Sequence, residues 1–230
     1  VLKVFNHSFE QALVAERWAN TQGLSPNIIY AADGVQILEY IEAEVYTPSK
    51  LPKLANNLHK LHTAGAPNKK RFNLIQFANE YLINADDITN TWHQQLLPTL
   101  IEFINDPTPW VFCHNDLVKE NCLFDQRGTV FFIDWEFAQK HNPWFDLAAI
   151  MLYFDLNKAQ SRSFLEAYET TWSNKVSERI FYSSQVSLLW TDLLWNMHKY
   201  GPDYRYKKSY RFMKLASLAQ QLNIDLTSNS

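Results

Sequence analysis

The sequence predicts an α+β protein in two lobes: a small β-containing one ending near Ile41 and a larger, mainly helical one, with a cleft between them. Three observations predict it. Apolar runs joined by Asp33-Gly34, a strong hairpin pair, fill the end of the first 41 residues. From about Ser49 the pattern becomes helical, and Leu51, Leu54, Leu58 and Leu61 form a stripe at helical spacing. Two short apolar runs, Trp110-Val111-Phe112 and Val130-Phe131-Phe132-Ile133, then interrupt the helices, and each leads into a cluster of polar residues. The boundaries read as 1–46, 47–226 and a polar tail at 227–230.

Residues 1–5 read as a strand that is already under way at Val1, so the start reads as truncated or processed. Residues 8–22 read as a helix with Ser8 as N-cap and Gly23 as the stop. Residues 27–32 and 35–41 are the two hairpin strands, and 42–47 a linker. Helices are expected at 49–64, 72–85 and 86–105, and a β-rich stretch at 110–135. Four more helices are expected at 143–157, 158–172, 177–200 and 204–222. No repeat is visible.

Composition narrows the class. Apolar residues make up 47%, enough for a core, and aromatics a high 15%. A net charge of −3 without a basic block argues against a nucleic-acid partner. No run of 18 apolar residues exists, so no membrane segment is expected. Cys113 and Cys122 have no companions at zinc spacing, and two thiols in a chain this size read as reduced and cytoplasmic.

The chemistry concentrates in His114-Asn115-Asp116-Leu117-Val118-Lys119-Glu120-Asn121 and Ile133-Asp134-Trp135-Glu136. Both sit where a short buried strand gives way to a turn toward solvent. Phosphoryl transfer from a nucleotide needs one carboxylate to orient the accepting hydroxyl, and oxygen ligands to hold magnesium against the phosphates. Asp116 fits the first role; Asn121 and Asp134 fit the second.

The spacing resembles that of protein kinases, in which an Asp and an Asn four residues apart are followed by a metal-binding Asp at the end of the next strand. Asn115 stands where those enzymes have Arg, Asp134-Trp135-Glu136 replaces Asp-Phe-Gly, and no Ala-Pro-Glu follows. The chain instead resembles the small-molecule kinases of this fold: choline/ethanolamine kinases, thiamine kinases and the wider aminoglycoside phosphotransferase group. The matching residues are Phe112-Cys113-His114-Asn115-Asp116-Leu117, Asn121-Cys122-Leu123, Ile133-Asp134-Trp135-Glu136-Phe137 and Trp144-Phe145-Asp146-Leu147-Ala148. The resemblance implies a protein-kinase-like two-lobe fold with a partly truncated N-lobe, and ATP and Mg2+ as cofactors. It also implies that Lys3 contacts phosphates and pairs with Glu16, and that backbone groups from Leu38 to Ile41 meet adenine. Asp146 would hold the catalytic-loop backbone; equally, it is a good helix cap. A glycine-rich phosphate loop is absent; either it precedes Val1 or the nucleotide is gripped more weakly.

Other residues stay open. Glu136 is a second metal ligand, a substrate contact, or a partner of the following loop. Lys119 screens phosphate or is simply solvated. His114 reads as support behind the loop. His59 and His62 are three apart on a helix without a third ligand, and read as an ordinary helix end. Asp192 and Trp195 share a helix face, stand where choline kinases often carry a Trp-x-x-Trp pair, and combine an acid with an indole. With Phe137 and Tyr206 they are the candidate site for a small cationic alcohol. Choline comes first and thiamine second. The alternatives are a non-catalytic kinase-like binding protein and an aminoglycoside phosphotransferase, which would need more acids than the late helices offer.

Overall fold

The computed structural model describes residues 2–4, 9–82, 85–168, 177–201 and 203–226, with side chains for all of these except Leu2, Lys3 and Phe9. Ser8, the end of the helix expected at 158–172 and the tail at 227–230 lie outside them. The chain divides into two compact units, Val1–Phe72 with Pro109–Asn174, and Asn73–Thr108 with Lys175–Ser230.

The first unit opens with a three-stranded antiparallel sheet of β1 (Leu2–Val4), β2 (Ile28–Ala32) and β3 (Val35–Leu38), in the order β1-β3-β2. Asp33 and Gly34 both adopt left-handed φ, 53° and 75°, as the tight hairpin turn that joins twisted strands requires. Helix α1 (Phe9–Thr21) follows β1. It and the turn after it are tied to the strands that carry the polar clusters: Trp18 packs edge-on against Phe112 at 4.9 Å, and the Leu24 carbonyl accepts from the Phe132 N–H at 2.7 Å.

After a 3-10 turn at Pro48–Lys50, α2 (Leu51–Thr63) buries Leu51, Leu54, Leu58 and Leu61, the stripe read from sequence. Two small antiparallel ladders come next: β4 (Val111–Cys113) with β7 (Gln139–His141), and β5 (Cys122–Phe124) with β6 (Val130–Phe132). Helices α5 (Trp144–Tyr153) and α6 (Lys158–Tyr168) complete the unit, and α2 packs against α6.

The second unit is helical: α3 (Leu74–Glu80), α4 (Asp87–Ile104), α7 (Glu178–Tyr200), α8 (Tyr204–Lys207) and α9 (Ser209–Gln220). Asp86 caps α4 by accepting from the Thr89 N–H at 2.7 Å. Long α7 packs on α4 and α9 and buries Trp190 completely. No helix among the described residues is long and apolar enough to cross a membrane.

Three expectations on element bounds need correction. The helix expected at 72–85 is only Leu74–Glu80, because Phe72 is drawn out of it: its N–H donates to the Lys140 carbonyl, and Asn73 caps the helix instead. Strand β7 was not foreseen, since Gln-Lys-His carries no apolar alternation. The helix expected at 204–222 breaks at Lys208, whose φ −125° and ψ 37° are not helical, although no Gly or Pro marks the place.

Candidate active site

Strand β4 ends at Cys113, and the backbone then turns sharply. Asn115 takes a left-handed φ of 66°, unusual for a residue other than Gly. The turn is clamped by buried Asp146 at the start of α5, whose carboxylate accepts from the backbone N–H of His114 and of Asn115, both at 2.8 Å. His114 is buried behind the loop: Nε2 lies 3.0 Å from the Ile133 carbonyl and the ring 4.7 Å from that of Trp135. Asp116, half-buried, is the next residue along. Asn121 orients it, donating through Nδ2 to the Asp116 carbonyl at 2.8 Å and to its Oδ2 at 3.0 Å. With Nδ2 so committed, the Asn121 Oδ1 is the atom left to face a metal.

The second cluster is fastened to the first. The Ile133 N–H donates to the Asn121 carbonyl at 3.0 Å, which brings Asp134 beside the catalytic loop. Asp134 is also left-handed, φ 71°, and begins a 3-10 turn at Trp135–Phe137. Fully buried Trp135 anchors that turn, donating from Nε1 to the Phe132 carbonyl at 3.0 Å and stacking on Phe112. Two strained residues at the two polar turns is a pattern typical of functional sites. Glu136 and Phe137 are half-buried on this turn, and the Glu136 carbonyl accepts from Gln11 Nε2 on α1.

In the sequence Asn115 reads as a departure from Arg and as one residue of the matching stretch, with no role of its own. It is a staple. Its Nδ2 donates to the carbonyls of Phe137 and Gln139 at 2.9 and 3.3 Å, and its Oδ1 accepts from His141 Nδ1 at 3.0 Å. The signal for it was chemical: an amide has both donors and an acceptor to spend on its neighbours. Lys119 turns outward to Asp155, 3.3 Å away.

The expected nucleotide residues lie in the same unit. Glu16 on α1 is fully buried, and its Oε1 accepts from Ser25 Oγ at 2.6 Å, so it is no solvated surface acid. Lys3 lies on β1 opposite Gln36 on β3; its side chain is outside the described set. Leu38, buried, closes β3, and Ile41 lies three residues on, beyond Glu39, whose N–H donates to the Asn27 carbonyl at 2.8 Å.

Asp192, Trp195 and Tyr206 belong to the second unit. Asp192 and Trp195 are half-buried on α7, and Tyr206 on α8 is 77% exposed. Asp192 accepts from Asn196 Nδ2 at 2.9 Å and pairs with the Arg211 guanidinium. The Lys199 ammonium lies 4.5 Å from the Trp195 ring centre.

Residues 14–180 match the model of the phosphotransferase enzyme family named for the aminoglycoside phosphotransferases. The chain belongs to this family. It is therefore a small-molecule kinase with the α+β, protein-kinase-like fold of that family. The LicA protein of Haemophilus influenzae is 26% identical over 181 residues, 73% of this chain and 67% of that protein. A second LicA sequence from that species is spanned over only 53% of its length. Among solved structures, the choline kinase LicA of Streptococcus pneumoniae superposes with a TM-score of 0.80 at 22% identity, covering 95% of this chain and 85% of that one. A choline/ethanolamine kinase family protein of Mesorhizobium loti gives 0.76 at 23%, covering 95% and 82%. At these identities the structures speak to the fold.

Proposed function

We propose that this phosphotransferase moves the γ-phosphoryl group of ATP, with Mg2+, to the hydroxyl of choline or a close cationic relative, in the cytoplasm. The observation that carries the reaction is the Asp116–Asn121 pair: one amide orients the catalytic carboxylate through Nδ2 and leaves its oxygen for a cation. Loose phosphoryl transfer asks mainly for positioning, so Asp116 accepts the hydrogen bond of the substrate hydroxyl and aligns its oxygen for attack. Asn121 and Asp134 suit magnesium, a hard cation that prefers oxygen donors, and would hold it. The bound metal would neutralise phosphate charge. We assign the nucleotide to Lys3, Glu16 and the backbone from Leu38 to Ile41.

The substrate class rests on likeness to LicA proteins and on the chemistry of α7. The Trp195 indole already takes a cation, Lys199, and Asp192 already takes another, Arg211. We therefore assign Asp192, Trp195 and Tyr206 to recognition of a cationic alcohol, with Glu136 and Phe137 on the catalytic side. Two thiols that are free and buried, their pKa pushed well up by burial, fit a reducing compartment. A coupled ADP-release assay with Mg·ATP against choline, ethanolamine, thiamine and an aminoglycoside tests the assignment. Choline should give the highest kcat/KM; a preference for the aminoglycoside or for thiamine would contradict it.

A further inference from the structure

Near the end of α2, buried His62 bridges two side chains. Its Nδ1 lies 2.7 Å from the hydroxyl of buried Tyr168, the last described residue of α6, and its Nε2 lies 3.1 Å from Asp146 Oδ2. An ionised carboxylate only accepts, so Nε2 carries the proton toward Asp146, while Nδ1 faces the Tyr168 hydroxyl. Asp146 therefore takes His62 and the His114 N–H on one oxygen and the Asn115 N–H on the other.

His62, Cys113 and Asp146 place ligand atoms within 4.8 Å of one another, yet this is no metal centre. Both Asp146 oxygens are committed to N–H donors. Cys113 Sγ lies 3.6 Å from the His141 carbonyl, and burial keeps the thiol protonated.

The clamp needs a partner of this kind. A fully buried carboxylate without enough donors protonates or moves. Burial pushes the Asp146 pKa up, but the hydrogen bond and charge of His62 and the bond from His114 outweigh it and hold the group below its ordinary value. The left-handed turn at Asn115, for its part, persists only where its surroundings over-determine it.

We propose that His62, steadied by Tyr168, is a positioning residue for phosphoryl transfer: through Asp146 it holds the catalytic-loop backbone in the turn that presents Asp116. The effect on turnover rests on the kinase reading above; the effect on the loop does not.

The test compares His62→Leu, His62→Gln, His62→Asn and Tyr168→Phe with the wild-type chain. Two readouts are used: choline-dependent ADP release and amide hydrogen exchange at His114 and Asn115. A glutamine nitrogen reaches the position of Nε2 and keeps the donor to Asp146; asparagine reaches only as far as Nδ1. His62→Leu and His62→Asn should lower kcat about 10- to 100-fold, leave KM for ATP within about two-fold, and speed exchange at the two amides. His62→Gln should stay within about three-fold of wild type, and Tyr168→Phe should fall between. Should the Leu variant fail to fold, the contrast between Gln and Asn decides. Equal losses in Gln and Asn, or unchanged exchange at both amides in Asn, would overturn the proposal. If the wild type releases no ADP with any alcohol, the kinase reading fails and the exchange rates still decide the clamp.

Discussion

Asp116 and Asp134 are both acids at the ends of short strands, but they are asked for different work. In the proposed reaction Asp116 meets the accepting hydroxyl, so Asp116→Asn should lower kcat by about 10²–10⁴-fold while leaving KM for ATP nearly unchanged. Asp134→Ala removes a proposed metal ligand and should also abolish magnesium-dependent nucleotide binding, which calorimetry reads directly. Near-normal turnover in Asp116→Asn would show that another group orients the hydroxyl. On α7, Asp192→Asn should raise KM for the alcohol several-fold and spare KM for ATP. Because Asp192 also holds Arg211, its loss should lower the melting temperature as well. His141 supplies a pH signature. Burial holds its pKa down to about 3, partly offset by the charge of Asp146. Between there and the ordinary value near 6.5, the unfolded chain binds a proton that the folded chain refuses. Stability from this source is complete above about pH 6.5 and is lost as pH falls toward about 3, at about 1.4 kcal/mol per pH unit. His141→Asn, which keeps a donor toward Asn115, should flatten the urea-unfolding free energy over that range by one proton's worth of slope.

At the scale of elements, legibility followed the strength of local signals. The Asp33-Gly34 hairpin and the leucine stripe of α2 could be read because each is written in its own residues. Strand β7 could not, because Gln139, Lys140 and His141 become a strand through partners far off in sequence, Val111 to Cys113 and the loop at 70–72. The break at Lys208 is tertiary too: Tyr204 and Arg211 on either side of it are held by their mutual 2.8 Å bond, and Arg211 by Asp192. In the candidate site, the positions with fixed chemistry at fixed spacing, Asp116, Asn121 and Asp134, were readable. The residues that hold them, Asn115 and His62, were not, since their partners lie 22 to 106 positions away. Asn115→Ala frees the turn at Trp135–Phe137 from the catalytic loop. It should cost about 1–3 kcal/mol of stability for the groups left unpaired, and lower kcat more than it changes either KM. A thermal melt and steady-state rates on one preparation would check both.

At the scale of the whole molecule, the two compact units carry different parts of the expected chemistry. Glu16, Leu38, Asp116, Asn121 and Asp134 belong to the first, and Asp192, Trp195 and Tyr206 to the second. Substitutions in the second unit should therefore move the alcohol KM and those at Glu16 the ATP KM; a crossed pattern would mean the roles are misassigned. Removing divalent metal with a chelator should stop turnover, and adding magnesium should restore it. The most direct measurement is mass spectrometry of the products after incubation of the wild-type chain and Asp116→Asn with Mg·ATP and choline. The wild type should give a phosphomonoester of choline, in amounts equal to the ADP formed, and Asp116→Asn almost none. ADP without phosphorylated choline, or the same product from both chains, would contradict it.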